Sequence, residues 1–200
     1  MMKNYTIGID EAGRGPLAGP VSAGAVLIPK NFNPNDDLRS HRLKDSKKLS
    51  PKQREEWFNY IKHHPHIFYA VSRVYPNTID RINIAQATNL AATRALSKLL
   101  KTDDLRSHRL TSIYMDGGLK ILKPIPLKDS GHKLKTIIKG DEKINAIKLA
   151  SIVAKVTRDK YICTQAKKYP QYSLENHKGY GTKAHIKAIK KHGLCPLHRL

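Results

Sequence analysis

The residues most suited to chemistry in this chain are acids that follow apolar runs. Asp10 and Glu11 come after Tyr5 to Ile9, Asp116 comes after Thr111 to Met115 and precedes Gly117-Gly118, and Asp141 comes after Leu134 to Ile138 by way of Lys139-Gly140. A lone acid at a strand end is usually a turn or cap residue. Two adjacent ones, as at Asp10-Glu11, are hard to justify structurally. If the runs are neighbouring strands the acids converge, and converging carboxylates raise one another's pKa unless cations join them. Mg²⁺ suits such oxygen donors because it keeps waters and bridges phosphate oxygens. Two ions about 3.5–4 Å apart activate a water and stabilise the oxygen that leaves a phosphodiester. Close behind the first acids stands Gly13-Arg14-Gly15. The glycines let the backbone approach a ligand, and the guanidinium suits bidentate contact with a phosphate. The combination points to metal-dependent chemistry on nucleic acid.

Only a sheet can bring these residues together. Tyr5 to Ile9 and Val21 to Ile28, the latter ended by Pro29, read as buried strands. Open α/β sheets place their sites at the carboxyl ends of strands, which is where the acids stand. Ser50-Pro51 reads as a cap and first residue of a helix to about Lys62. His66 to Val74 reads as a third strand. A long helix is expected from the cap-like Thr78 to about Lys101, with Ile82, Ala85, Asn89, Ala92, Leu96 and Leu99 near one face. Asn89 there is expected to be a satisfied buried amide. The last long helix spans about Ile144 to Lys168, and Lys155 and Asp159, four residues apart, are expected to form a surface ion pair. Beyond Pro170 come Asn176-His177-Lys178-Gly179-Tyr180 and a short basic helix to His192.

A length of 200 residues suits one domain, or one domain with a helical appendage. The formal charge of +21, spread over the whole chain, implies attraction to a polyanion such as a nucleic-acid duplex. Cys163 and Cys195 stand in no C-x-x-C pair, so zinc has little support and free thiols are expected. With no signal-like segment and no apolar run of membrane-spanning length, a cytoplasmic protein is expected. The octapeptide Asp-Asp-Leu-Arg-Ser-His-Arg-Leu occurs at Asp36–Leu43 and again at Asp103–Leu110, and reads as a duplicated surface insertion with no assigned role.

From Tyr5 to Arg199 the chain resembles bacterial type 2 ribonuclease H, ribonuclease HII. The resemblance rests on Asp10-Glu-Ala-Gly-Arg-Gly-Pro16, Leu43-Lys-Asp-Ser-Lys-Lys-Leu49, Asp116-Gly117, Lys139-Gly-Asp141, Ala150-Ser-Ile-Val-Ala-Lys-Val-Thr-Arg-Asp159 and His177-Lys-Gly-Tyr180, in that order. It implies an α/β protein with an RNase H-like fold: a mixed five-stranded sheet flanked by helices in a catalytic domain over residues 1–168, and a C-terminal helical extension over 169–200 that contacts substrate. It implies an endonuclease that cuts the RNA strand of RNA/DNA hybrids and incises 5′ of single ribonucleotides in duplex DNA, leaving 3′-hydroxyl and 5′-phosphate ends. Ribonucleotide excision repair is the setting this suggests. Asp10, Glu11, Asp116 and Asp141 correspond to the family's metal-binding acids, which take two ions of Mg²⁺ or Mn²⁺, with Asp10 bridging both. Gly13, Arg14 and Gly15 correspond to its ribonucleotide sensor, and Tyr180 to the aromatic that packs on the next sugar. Lys47 and Lys178 are expected to contact phosphates, and His177 to play a structural part. A monomer without small-molecule cofactor or membrane partner is expected.

The chain departs from the family at Lys148, where a small residue is common. It also ends at Leu200, where the family continues with Ser-Phe and a further helix, so a shortened duplex grip is expected. Ribonuclease HIII is the nearest alternative enzyme. It normally carries an added N-terminal domain and lacks Gly-Arg-Gly, whereas here only four residues precede Tyr5. A non-catalytic basic binder is the alternative of another class, but it would have no use for acids facing phosphates.

Overall fold

The computed structural model describes residues 4–34, 43–44, 46–102, 109–123 and 133–200, so the duplicated octapeptides lie almost wholly outside the described residues. Five strands, β1 (Asn4–Ala12), β2 (Val21–Pro29), β3 (Phe68–Val74), β4 (Arg109–Asp116) and β5 (Lys133–Ile137), form one mixed sheet in the order β3-β2-β1-β4-β5. The mixed five-stranded sheet is the one expected. β1 pairs antiparallel with β2 and parallel with β4, and β4 pairs parallel with β5. The carboxyl ends of β1, β4 and β5 therefore share one rim of the sheet. Ile9 lies opposite Met115, so Asp10 and Asp116 are the next residues on adjacent strands.

Among the described residues the four longer helices are α1 (Pro51–His63), α2 (Pro76–Leu99), α3 (Asn145–Ala166) and α4 (Lys183–His192). On one face of the sheet Tyr5, Ile7 and Ile9 pack with Ala91, Ala92 and Leu96 of α2. On the other, Val26 and Ile28 pack with Trp57 and Ile61 of α1 and with Ala146, Ala150 and Val153 of α3. Two glycines set the depth of α3. A Cβ on Gly8 would lie 2.1 Å from the carbonyl carbon of Ala146, and one on Gly24 would lie 2.6 Å from the Ala150 oxygen. Backbone packed on backbone brings α3 over the strand face that carries Asp10.

Helix starts follow local chemistry. Ser50 caps α1 through a reciprocal pair, its hydroxyl accepting from the Gln53 N–H while the Gln53 side chain accepts from the Ser50 N–H. α2 differs from the sequence expectation. It begins at Pro76 with Tyr75 in the cap position, so Thr78 lies inside it. It is also broken at Asn83, whose φ is 63°. Asn83 Oδ1 accepts from the Gln86 N–H at 3.0 Å and so caps the second segment. Asn89 is satisfied as expected, accepting from the Lys120 N–H at 2.9 Å.

After α3 the chain makes single helical turns at Pro170–Tyr172 and Leu174–His177 before α4. Tyr172, Leu174 and Leu197 share a core with Ala18 of the β1–β2 connection and with Ile162 and Ala166 of α3. The C-terminal segment is thus packed against the body of the molecule. Both cysteines are free, and among the described residues no helix is long and apolar enough to cross a membrane.

Candidate active site

β1 extends past the apolar run and carries Asp10 and Glu11 within its paired length, opposite Gly24 and Ala23. Asp10, Glu11 and Asp116 each present a carboxylate oxygen within 4.8 Å of the other two. Asp10 is buried, and burial, followed by the charges of Glu11 and Asp116, pushes its pKa well above the usual carboxylate range. Burial also raises Glu11, against the opposing pull of Asp10's hydrogen bond and the Arg14 charge. Three supports hold the acids. The Glu11 N–H donates to Asp10 Oδ1 at 2.7 Å, the Gly140 N–H donates to Asp116 Oδ1 at 2.7 Å, and Arg14 Nη1 stands 3.4 Å from Glu11 Oε1. Glu11 Oε2 is buried with no hydrogen-bond partner.

Asp141 is placed differently. It is buried in the single turn Gly140–Lys143, whose cap Lys139 is left-handed, and its Oδ2 accepts from Lys47 Nζ at 3.0 Å. It lies outside the three-acid group, while its neighbour Glu142 is exposed. Lys47, expected at a phosphate, is thus an acid's partner in this structure.

The donor set fits a divalent cation. Its atoms are hard oxygens held close together, and one buried oxygen lacks any hydrogen-bond partner.

The residues expected to meet substrate flank these acids. Gly13 has a φ of +91°, and a Cβ there would lie 2.0 Å from Arg158 Nε, so glycine is required at that position by the arginine beneath it. Arg14 reaches from Glu11 toward Gly118, and Gly15 faces the Tyr180 ring. Tyr180 is 41% exposed, with Lys155 Nζ 5.7 Å from its ring centre. Lys178 turns its ammonium back to the Glu175 carbonyl of its own loop. His177 accepts from the Gly179 N–H at 3.3 Å through Nδ1, lies 2.9 Å from the Tyr172 carbonyl through Nε2, and stacks on His185, which is the structural part expected.

Four participants were not singled out in the sequence. The Ser151 side chain lies close enough to Asp10 to pull its pKa down and shares a 2.6 Å hydrogen bond with the Ser46 hydroxyl. Arg158 and Arg199 hold the loop around Gly13 from below. The signal for Ser151 was its place among the small residues of α3. Arg158 lay within a family motif but its role left no signal, nor did that of Arg199, because their partners are backbone carbonyls distant in sequence. Lys155 and Asp159 pair at 3.0 Å as expected, but are mostly buried, 25% and 20% exposed, and border the site.

Comparison with known proteins points the same way. The family model described as ribonuclease HII matches residues 7–200. Ribonuclease HII of Endomicrobium trichonymphae is 49% identical over 193 residues, 96% of this chain and 82% of the relative. That of Ruminiclostridium cellulolyticum is 46% identical over 197 residues, 98% of this chain and 69% of the relative. Among solved structures, ribonuclease H2 from Pyrococcus horikoshii OT3 superposes with a TM-score of 0.73 at 28% identity, covering 98% of this chain and 92% of that one. With sheet order, strand-end acids and sequence in agreement over nearly its whole length, the chain belongs to the ribonuclease HII family.

Proposed function

We propose that this chain, a ribonuclease H, incises the phosphodiester 5′ of a single ribonucleotide in duplex DNA and cuts the RNA strand of RNA/DNA hybrids, leaving 3′-hydroxyl and 5′-phosphate ends. One observation carries the reading: the acid group Asp10, Glu11 and Asp116 lies against a Gly13-Arg14-Gly15 loop and an exposed Tyr180. An acid cluster alone serves any hydrolysis of phosphate esters. The added loop and aromatic ring supply a way to read the 2′-hydroxyl and the sugar, by which a protein distinguishes RNA from DNA at one position.

In this reading Asp10, Glu11, Asp116 and Asp141 hold divalent ions, which when bound supply the activated water and the neutralising charge on the scissile phosphate. Asp10 sits centrally, oriented by the Glu11 N–H and Ser151. Asp141 joins once Lys47, whose side chain is 78% exposed, exchanges its carboxylate for a substrate phosphate. Arg14 faces the phosphate beside the ribonucleotide, and Tyr180 packs on the following sugar. The extension over 169–200 carries Tyr180 and Lys178, and contributes the basic face of α4 to the duplex. We take the enzyme to act as a monomer in the cytoplasm, with Mg²⁺ or Mn²⁺.

The test is incision of a duplex bearing one ribonucleotide, beside an all-DNA control, with and without divalent metal. A metal-dependent cut on the 5′ side, absent from the control, is the expected result. Tight binding without cleavage would leave a silent binder and overturn the reading.

A further inference from the structure

The Gly13-Arg14-Gly15 loop has no regular structure of its own, so its conformation must come from elsewhere. Its carbonyls are held by two arginines remote in sequence. Arg199 donates from Nη2 to the Gly13 oxygen at 2.7 Å, from Nη1 to the Arg14 oxygen at 3.0 Å, and from Nε to the Gly19 oxygen at 2.8 Å. Its own N–H donates to the Leu17 oxygen at 2.9 Å. Arg158, fully buried, donates to the oxygens of Ala18 at 3.1 Å, Pro20 at 2.9 Å and Lys178 at 3.1 Å, which ties the same connection to the loop carrying Tyr180.

Peptide geometry turns these bonds into a directional device. In a planar trans peptide the carbonyl of one residue and the N–H of the next point in opposite directions. Because Arg199 draws the Gly13 and Arg14 carbonyls toward itself, the Arg14 and Gly15 N–H groups face away from it. Neither amide donates to any protein group among the described residues. Two adjacent unpaired donors, beside the acids on one side and Tyr180 on the other, are therefore aimed by a residue that lies behind them. A guanidinium does this where an ammonium cannot, since its fixed fork spans two carbonyls at once.

We propose that Arg199 is the positioning residue for ribonucleotide selection: through the Gly13 and Arg14 carbonyls it aims the Arg14 and Gly15 amides at the 2′-hydroxyl and its phosphate. The proposal rests on the reading given under Proposed function. Arg158 braces the same loop. Its loss would leave several buried carbonyls unpaired and endanger the fold, so Arg199 is the residue to test.

The experiment uses the full chain carrying Asp10→Asn, so that substrate is bound and not cut. Affinity is measured for a duplex with one ribonucleotide and for the same duplex in all-DNA form. Adding Arg199→Gln lowers the ratio of the two affinities by about 10- to 100-fold, with all-DNA affinity little changed. Arg199→Lys, which keeps the charge but not the fork, does the same. A structural role alone would weaken both affinities together. An unchanged ratio in Arg199→Lys, or equal losses on both duplexes, overturns the proposal. Should both variants fail to fold, amide resonances of Arg14 and Gly15 in the Asp10→Asn protein decide it. They shift on adding the ribonucleotide duplex and not the all-DNA one, and no difference between the two refutes the proposal. If wild-type protein fails to incise the ribonucleotide duplex at all, the functional reading itself falls. If it incises and the ratio is unmoved, only the role of Arg199 falls.

Discussion

At the scale of single residues the site is a compromise between charge and burial. Asp10 is buried beside two other acids, and its raised pKa means that ionising it costs the folded state free energy. Asp10→Asn is therefore expected to abolish cleavage while raising the melting temperature in metal-free buffer, by about 2–4 °C for each kcal/mol of desolvation and repulsion relieved. The same substitution should reduce the stabilisation that added Mg²⁺ or Mn²⁺ confers. A metal-free melt below wild type would contradict the account of a buried, repelled charge. Tyr180 is a separate case. It is 41% exposed, so Tyr180→Ala should leave the fold nearly intact while costing about 10-fold in preference for a ribonucleotide duplex, with Tyr180→Phe close to wild type. Competition binding against all-DNA duplex measures this.

Among the elements, α3 matters most, because it packs on β1 and β2 and carries both Ser151 and Arg158. Its approach depends on positions with no side chain. Gly8→Ala places a carbon 2.1 Å from the Ala146 carbonyl carbon, and backbone cannot yield as a flexible side chain would. We expect a loss of about 3 kcal/mol or more, read by urea unfolding, together with weakened metal binding as Ser151 is displaced from Asp10. A stable Gly8→Ala protein would mean that α3 is not seated by backbone contact.

For the molecule as a whole, the C-terminal segment adds a pH dependence. The Cys195 N–H donates to His198 Nδ1 at 2.9 Å, so the proton of His198 is on Nε2 and is given to His185 Nε2 at 3.1 Å. His185 then donates from Nδ1 to the Tyr180 carbonyl at 2.9 Å. Burial lowers the pKa of both rings. The unfolded state therefore binds more protons just below the ordinary value near ~6.5, and the segment's stability, full above that pH, falls as pH drops through it. Amide exchange across 180–200 should quicken as pH is lowered from 8 to 5, beyond the intrinsic pH effect. Local exchange is the proper readout, because the raised pKa of Asp10 and Glu11 moves global stability the other way. Protection that does not change would exclude the His185–His198 pair as the cause. The charge of +21 makes a further claim at this scale. Duplex affinity should fall with salt on a log–log slope steeper than about −4, each phosphate contact contributing ~0.9. A shallow slope would confine the nucleic-acid contact to the acids and the loop.

Local features of this protein were legible in the sequence because short-range physics determines them. The strands around the acids and the cap at Ser50 follow from patterns within a few residues, and the satisfied amide of Asn89 was expected from its helix face although its partner, the Lys120 N–H, is remote in sequence. The family motifs likewise pointed to the sheet and to the group of Asp10, Glu11 and Asp116. Periodicity located α2 but not its break, since the turn at Asn83 depends on one backbone angle and a cap three residues on. The tertiary structure alone decided what is long-range: the pairing of Asp141 with Lys47 across 94 positions, and the grip of Arg199 on Gly13 across 186. Such contacts form between a side chain and whatever the fold brings beside it. A backbone carbonyl, present at every residue, leaves no mark in the sequence to say which arginine it will meet.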